Sequence, residues 1–231
     1  MVATQNFLSE RVQNLAESET LKMARMAREL RAQGHDVISL SLGEPDFDTP
    51  DHIKEAAYQA LKDGYTKYTP VAGLPELVKA ISEKFKRDNQ LEYRPDQIVV
   101  SNGAKQSVYN ICQALLDPGD EVVVFAPYWV SYVEIIKLSG GTPIPIYAGV
   151  ERDFKPTPLQ LEEAITDRTK FVLFSSPCNP TGTVFTRSEL ETYAKVMGRH
   201  EHVLVVSDEI YEHINFTHEH VSIGIFPEVK D

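Results

Sequence analysis

The chain is short of the residues that mark several protein classes. Only two of its 231 residues are cysteine, Cys112 and Cys178, and they stand far apart. That spacing excludes a disulfide scaffold and a cysteine-based metal site. The seven histidines show no ligand spacing either; His213, His218 and His220 gather late in the chain and read as loop residues, so no metal is expected. Positive charge is scarce: 23 Lys and Arg stand against 34 Asp and Glu, and the net charge of −11 argues against nucleic acid or an anionic membrane as the main partner. Any anionic ligand must therefore meet a local positive site. No apolar run approaches the ~20 residues of a membrane-spanning helix. No Gly-x-Gly-x-x-Gly opens a helix after an apolar run, which sets aside a nicotinamide-dinucleotide domain. Nothing after Met1 reads as a charged-then-apolar leader, and a reducing, cytoplasmic setting is expected.

What is present is ordinary globular material, 42% apolar and 25% charged, enough for a sizeable core. Met23, Met26, Ala27 and Leu30 predict a helix over 21–33, with Ser18 or Thr20 as cap and Gly34 past its last turn. Val37 to Leu42 reads as a short strand ending at Gly43-Glu44-Pro45-Asp46. Ile53, Ala56, Ala57, Ala60 and Leu61 trace one helical face between Pro50 and Gly64. Leu74, Leu77, Val78, Ile81 and Phe85 trace another, with Pro75 in the first turn, where its missing N–H costs nothing.

From residue 97 the pattern becomes regular. Ile98–Ser101, Val122–Phe125, Ile144–Tyr147, Phe171–Phe174 and Val203–Val206 are apolar runs without alternation, as in strands buried on both faces. Helical stretches separate several of them, so a mainly parallel α/β sheet is predicted. Ligands of such sheets bind beyond the carboxyl ends of the strands, which directs attention to the residues following each run. These are Ser101-Asn102-Gly103-Ala104-Lys105, Ala126-Pro127-Tyr128-Trp129, Pro177-Cys178-Asn179-Pro180-Thr181-Gly182, and Ser207-Asp208-Glu209-Ile210-Tyr211. They offer helix-start amides for a phosphate, a ring for stacking, an amide, a phenol, and a carboxylate able to keep a pyridine nitrogen protonated. A phosphorylated aromatic cofactor would use all five.

The segments Ser41–Phe47, Lys67-Tyr68, Gly103–Gln106, Pro127–Tyr132, Pro177–Gly182 and Ser207–Glu212 fall in the order and spacing of class I pyridoxal-phosphate-dependent aminotransferases. The chain resembles the N-terminal part of that family, in particular bacterial-type aspartate aminotransferases. The resemblance implies a three-layer sandwich with a mainly parallel sheet, incomplete here, plus the first part of a smaller α+β domain. Residues 1–45 would form the N-terminal arm and small-domain part, and 46–231 the large cofactor-binding domain. Gly103, Ala104 and Lys105 would hold the phosphate of pyridoxal 5'-phosphate, Trp129 would stack on its ring, and Ile210 would pack on the other face. Asp208 would pair with the ring nitrogen; Asn179 and Tyr211 would bond the ring oxygen. Gly43, with Asn179 and Trp129, would meet the substrate α-carboxylate, and Ser18, Thr20 and Lys105 a distal carboxylate. Tyr68 would reach the phosphate of a neighbouring subunit, implying a homodimer with shared sites.

The resemblance also places the Schiff-base lysine some twenty to thirty residues past Tyr211, beyond Asp231, and Lys230 lacks its context. No catalytic lysine is therefore assigned, and the 231 residues alone are expected to be inactive. The intact protein is expected to pass the amino group of aspartate or glutamate to a 2-oxo acid. Ala16 stands where prephenate-accepting relatives carry a basic residue, which lowers that specificity. The alternatives are a β-eliminating lyase on the same cofactor and an inactive cofactor-domain fragment acting as a binding module.

Overall fold

The computed structural model describes residues 7–16, 19–40, 43, 45–217 and 219–229. Ser18, Ser41, Leu42, Glu44 and His218, all invoked above, lie outside the described residues.

Strands β1 (Glu121–Ala126), β2 (Thr142–Tyr147), β3 (Thr169–Ser175) and β4 (Leu204–Asp208) form one parallel sheet in the order β2-β1-β3-β4. They coincide with or overlap four of the five predicted runs. Val123 sets the register of the central pair, standing opposite Ile144 on one side and Val172 on the other. β2 is an outer strand, which suits Pro143 and Pro145: neither has an N–H to give to a ladder.

Two rows of side chains alternate across the sheet and explain its layers. Val122, Val124, Phe171 and Leu173 face one way and pack with α5 (Ala104–Leu115) and α6 (Ser131–Leu138) through Val108, Cys112, Ile135 and Ile136. Val123, Phe125, Val172 and Phe174 face the other way and pack with α7 (Pro158–Ala164) and α8 (Arg187–Met197) through Leu161, Leu190 and Met197. The sheet is thus the middle layer of three, and β1 is buried along its whole length, which is why its sequence reads as unbroken Val-Val-Val-Phe. Capping boxes start both helices of the second layer. The Thr157 and Thr186 hydroxyls accept from Gln160 and Glu189 N–H at 3.0 and 3.3 Å, and those side chains accept the cap N–H groups at 2.8 and 2.7 Å.

Before the sheet come α1 (Glu10–Gln13), α2 (Glu19–Ala32), α3 (Asp51–Lys62) and α4 (Pro75–Asn89). The last three match the predicted helices; Thr20 lies inside α2 rather than capping it. Two predicted strands do not form. Val37–Leu40 joins no ladder; its carbonyl at Val37 instead accepts from the Arg31 guanidinium at 2.8 Å. Ile98–Ser101 also lacks a strand neighbour among the described residues, and an isolated run cannot complete its backbone hydrogen bonds as a ladder. Ile98 and Ser101 bond locally to Pro95 and Gly103, and the Val100 N–H donates instead to the Ala72 carbonyl at 2.9 Å. Gly73, at φ +116°, makes that approach possible: a Cβ there would stand 2.6 Å from Val100 Cγ2.

Candidate active site at the strand ends

The chain direction through the sheet decides where a site can lie. From β1 the chain crosses through α6 to β2 on one side, and from β2 through α7 to β3 on the other. The neighbouring strands β1 and β3 therefore send their following segments to opposite faces of the sheet, opening a crevice beyond their carboxyl ends. Pro127–Trp129 leave β1 there and Ser176–Asn179 leave β3 there. The Ala126–Pro127, Ser176–Pro177 and Asn179–Pro180 bonds, whose isomer the sequence leaves open, are all cis.

Contacts run continuously across this crevice. Lys105, in the first turn of α5, places its Nζ 4.8 Å from the centre of the Trp129 ring. Trp129 meets Tyr132 edge-on at 5.5 Å. The buried Tyr132 hydroxyl donates to Asp208 Oδ2 at 2.6 Å, a short charge-assisted bond. Burial first, and then the Asp208 charge, hold that phenol far above the ordinary tyrosine range, so it stays a donor. Asp208 closes β4 opposite Ser175 of β3, and its other oxygen, Oδ1, accepts the Ile210 N–H at 3.2 Å. That bond turns the chain out of the strand and sets Tyr211, whose hydroxyl accepts from Asn179 Nδ2 at 3.4 Å.

At the α5 end, Gly103 takes φ +81° at the cap position, and a Cβ there would meet nothing within 4 Å. The first N–H groups of a helix have no intrahelical partner, and with the helix dipole they make a seat for an anion. The structure thus links Lys105, Trp129 and Asp208 through Tyr132 and pairs Asn179 with Tyr211. It does not bring the remaining expected residues to them. Thr20, Gly43 and the fully exposed Tyr68 make no hydrogen bond, ion pair or ring contact with this group among the described residues.

Three residues in or beside the site were given no role from the sequence. Tyr132 sits one helical turn past Trp129, a spacing that does suggest a shared face. Glu209 accepts from the hydroxyls of Ser207 and Ser222, both at 2.8 Å, and lies 3.0 Å from His220 Nε2. Glu212 is tied to α4 by Lys84 and by Asn89 at 2.8 Å. Burial alone would raise the Glu212 carboxyl, yet those two partners hold it below the usual carboxylate range. Apart from the local Ser207–Glu209 bond, the contacts of Glu209 and Glu212 span 11 or more residues, too far for periodicity to reveal.

Comparison with known proteins matches this arrangement to one family. Residues 35–230 fit the family described as aminotransferase class I and II. The chain is 53% identical over 210 residues to an aspartate/prephenate aminotransferase of Cereibacter sphaeroides, covering 91% of this chain and 52% of that protein. It is equally 53% identical over 225 residues to an aspartate aminotransferase of a Bacillus species, covering 96% and 57%. Among solved structures, the aspartate aminotransferase of Thermus thermophilus with maleate superposes with a TM-score of 0.91 at 48% identity, covering 94% of this chain and 56% of that one. The chain spans about half the length of the curated relatives it matches. A family fit over most of the chain, with close relatives and a crevice at the strand ends, makes this protein a member of the class I and II aminotransferases.

Proposed function

We propose that the intact protein is an aminotransferase that moves the amino group of aspartate or glutamate to a 2-oxo acid with pyridoxal 5'-phosphate. The observation that carries this reading is the unbroken path Lys105–Trp129–Tyr132–Asp208 across the crevice. The residues fit the cofactor on their own chemistry. An open helix start with a positive-φ glycine suits a phosphate, and a carboxylate fixed by a tyrosine hydroxyl suits a protonated ring nitrogen. When bound, pyridoxal phosphate supplies an electron sink for the electrons released at the substrate α-carbon.

The residues of this chain then divide the labour. The amides of Gly103, Ala104 and Lys105 bind the phosphate. Trp129 would stack on the cofactor ring and Ile210 would pack against its other face, excluding water. Asp208, fixed by Tyr132, holds the proton on the ring nitrogen. Asn179 and Tyr211 donate to the ring oxygen, and Asn179, Gly43 and Trp129 orient the substrate α-carboxylate. Lys105, with Ser18 and Thr20, meets a distal carboxylate, which favours acidic substrates. Tyr68 serves the site of a second subunit in a homodimer. Residues 1–45 belong to a smaller domain and 46–231 to the cofactor domain. No residue of 1–231 is assigned as the lysine that moves the proton at the substrate, and the 231 residues alone are expected not to transaminate.

The test is Lys105→Ala in the intact protein. The ratio of kcat/KM for aspartate to that for alanine is expected to fall at least about 10-fold. An unchanged ratio refutes the role of Lys105, and catalysis by the 231-residue chain alone refutes the division of the site.

A further inference from the structure

The segment that carries Asp208 and Tyr211 is held from behind by a polar cluster that the site described so far does not use. Glu209 points away from the crevice and gathers three groups. Its Oε1 accepts from the Ser207 and Ser222 hydroxyls, both at 2.8 Å, and its Oε2 faces His220 Nε2 at 3.0 Å. Tyr93 faces the same carboxylate: burial first, and then the Glu209 charge, push its phenol up. Glu209 and His220 are both largely buried, and His220 Nδ1 is enclosed without a partner among the described residues. Ser222 is anchored in turn, because Val221, Ile223 and Phe226 on either side of it belong to the core beneath α8.

A buried carboxylate is stable only when its oxygens are fully bonded, and here the bonding partners come from two chain segments, the end of β4 and residues 220–222. We propose that Glu209 is a positioning residue. Its carboxylate ties the end of β4 to the core-anchored strap 220–222 and so fixes where Asp208 and Tyr211 meet the cofactor. This rests on the reading of Asp208 given above. A one-residue step separates Glu209 from Asp208, and adjacent side chains of an extended chain point to opposite sides. A clasp on one side therefore sets the aim of the carboxylate on the other.

The experiment compares Glu209→Gln, Ser222→Ala and Asp208→Asn in the intact protein, using pyridoxal phosphate as the probe. It reads equilibrium cofactor affinity and the pH midpoint of the visible absorbance of the bound cofactor. A role in folding alone would lower the melting temperature and leave that midpoint in place. Glu209→Gln is expected to weaken cofactor affinity about 10-fold and to move the midpoint in the same direction as Asp208→Asn. Ser222→Ala is expected to do the same to a smaller extent, and it carries the test should Glu209→Gln fail to fold. If Asp208→Asn moves the midpoint and neither clasp variant does, the positioning role is wrong. If Asp208→Asn itself leaves the midpoint unmoved, the reading of Asp208 fails first and the positioning role with it.

Discussion

Helices α3 and α5 both carry apolar stripes in sequence, Ile53 to Leu61 in one and Val108, Ile111, Cys112 and Leu115 in the other, yet the structure treats them differently. In α5 the stripe is closed over by the sheet, and Cys112 at its centre has no accessible surface. In α3 no residue is buried, and Ile53, Tyr58 and Leu61 are each about half exposed or more. The same contrast holds for the whole chain. Among the described residues between 7 and 103 only Ala24, Val78, Asn89, Leu91 and Ile98 are buried, whereas both faces of the sheet are covered beyond residue 104. A stripe at helical spacing thus specifies a helix, but not whether the same polypeptide supplies the surface that covers it.

Substitutions separate the two regions by size of effect. Phe174→Ala removes a ring that is 2% exposed and packed against Phe125 and Phe185. It should cost about 3–5 kcal/mol in urea unfolding; a loss below about 1 kcal/mol would mean that the sheet core is not closed in solution. Cys112 gives a pH test of the same core. Burial pushes its thiol up from 9.0 to about 11. Below pH 9 both folded and unfolded chains keep the proton. As the pH rises from 9 to about 11 only the unfolded chain loses it, so stability should fall by about 2–3 kcal/mol. Cys112→Ala should remove that part of the alkaline slope, and an unaltered slope would show the thiol to be solvated.

Tyr132→Phe keeps the packing and deletes the bond to Asp208, for about 1.5–3 kcal/mol. Equal stability of the two proteins would show that water replaces the phenol. The smallest effect belongs to α3: Leu61→Ala in this chain should stay within about 0.5 kcal/mol. A cost above about 1 kcal/mol would show that its stripe is covered in solution and would erase the contrast.

The fold was legible where local rules and burial agree. Val122–Phe125 and Phe171–Phe174 read as doubly buried strands because they are, and Pro75 and Gly34 mark helix ends by backbone geometry alone. Ile98–Ser101 misled because apolar content describes a residue's preference for burial, while a strand also needs a neighbour to complete its hydrogen bonds. Of the candidate site, Lys105, Trp129, Asn179, Asp208 and Tyr211 were singled out through their position after apolar runs. Tyr132 and Glu209 were not, since their importance lies in the partners they meet.

By itself the sequence determined the helices, four of the strands, the parallel sense of the sheet and the strand ends where a site is to be sought, because period, turn chemistry and βα alternation are local properties. Only the tertiary structure decided the strand order, the side of the sheet each helix covers, and the joining of Lys105, Trp129, Tyr132 and Asp208 into one path. Those depend on distances between residues up to about a hundred positions apart, and such distances are fixed by how the layers pack rather than by any pattern within one of them.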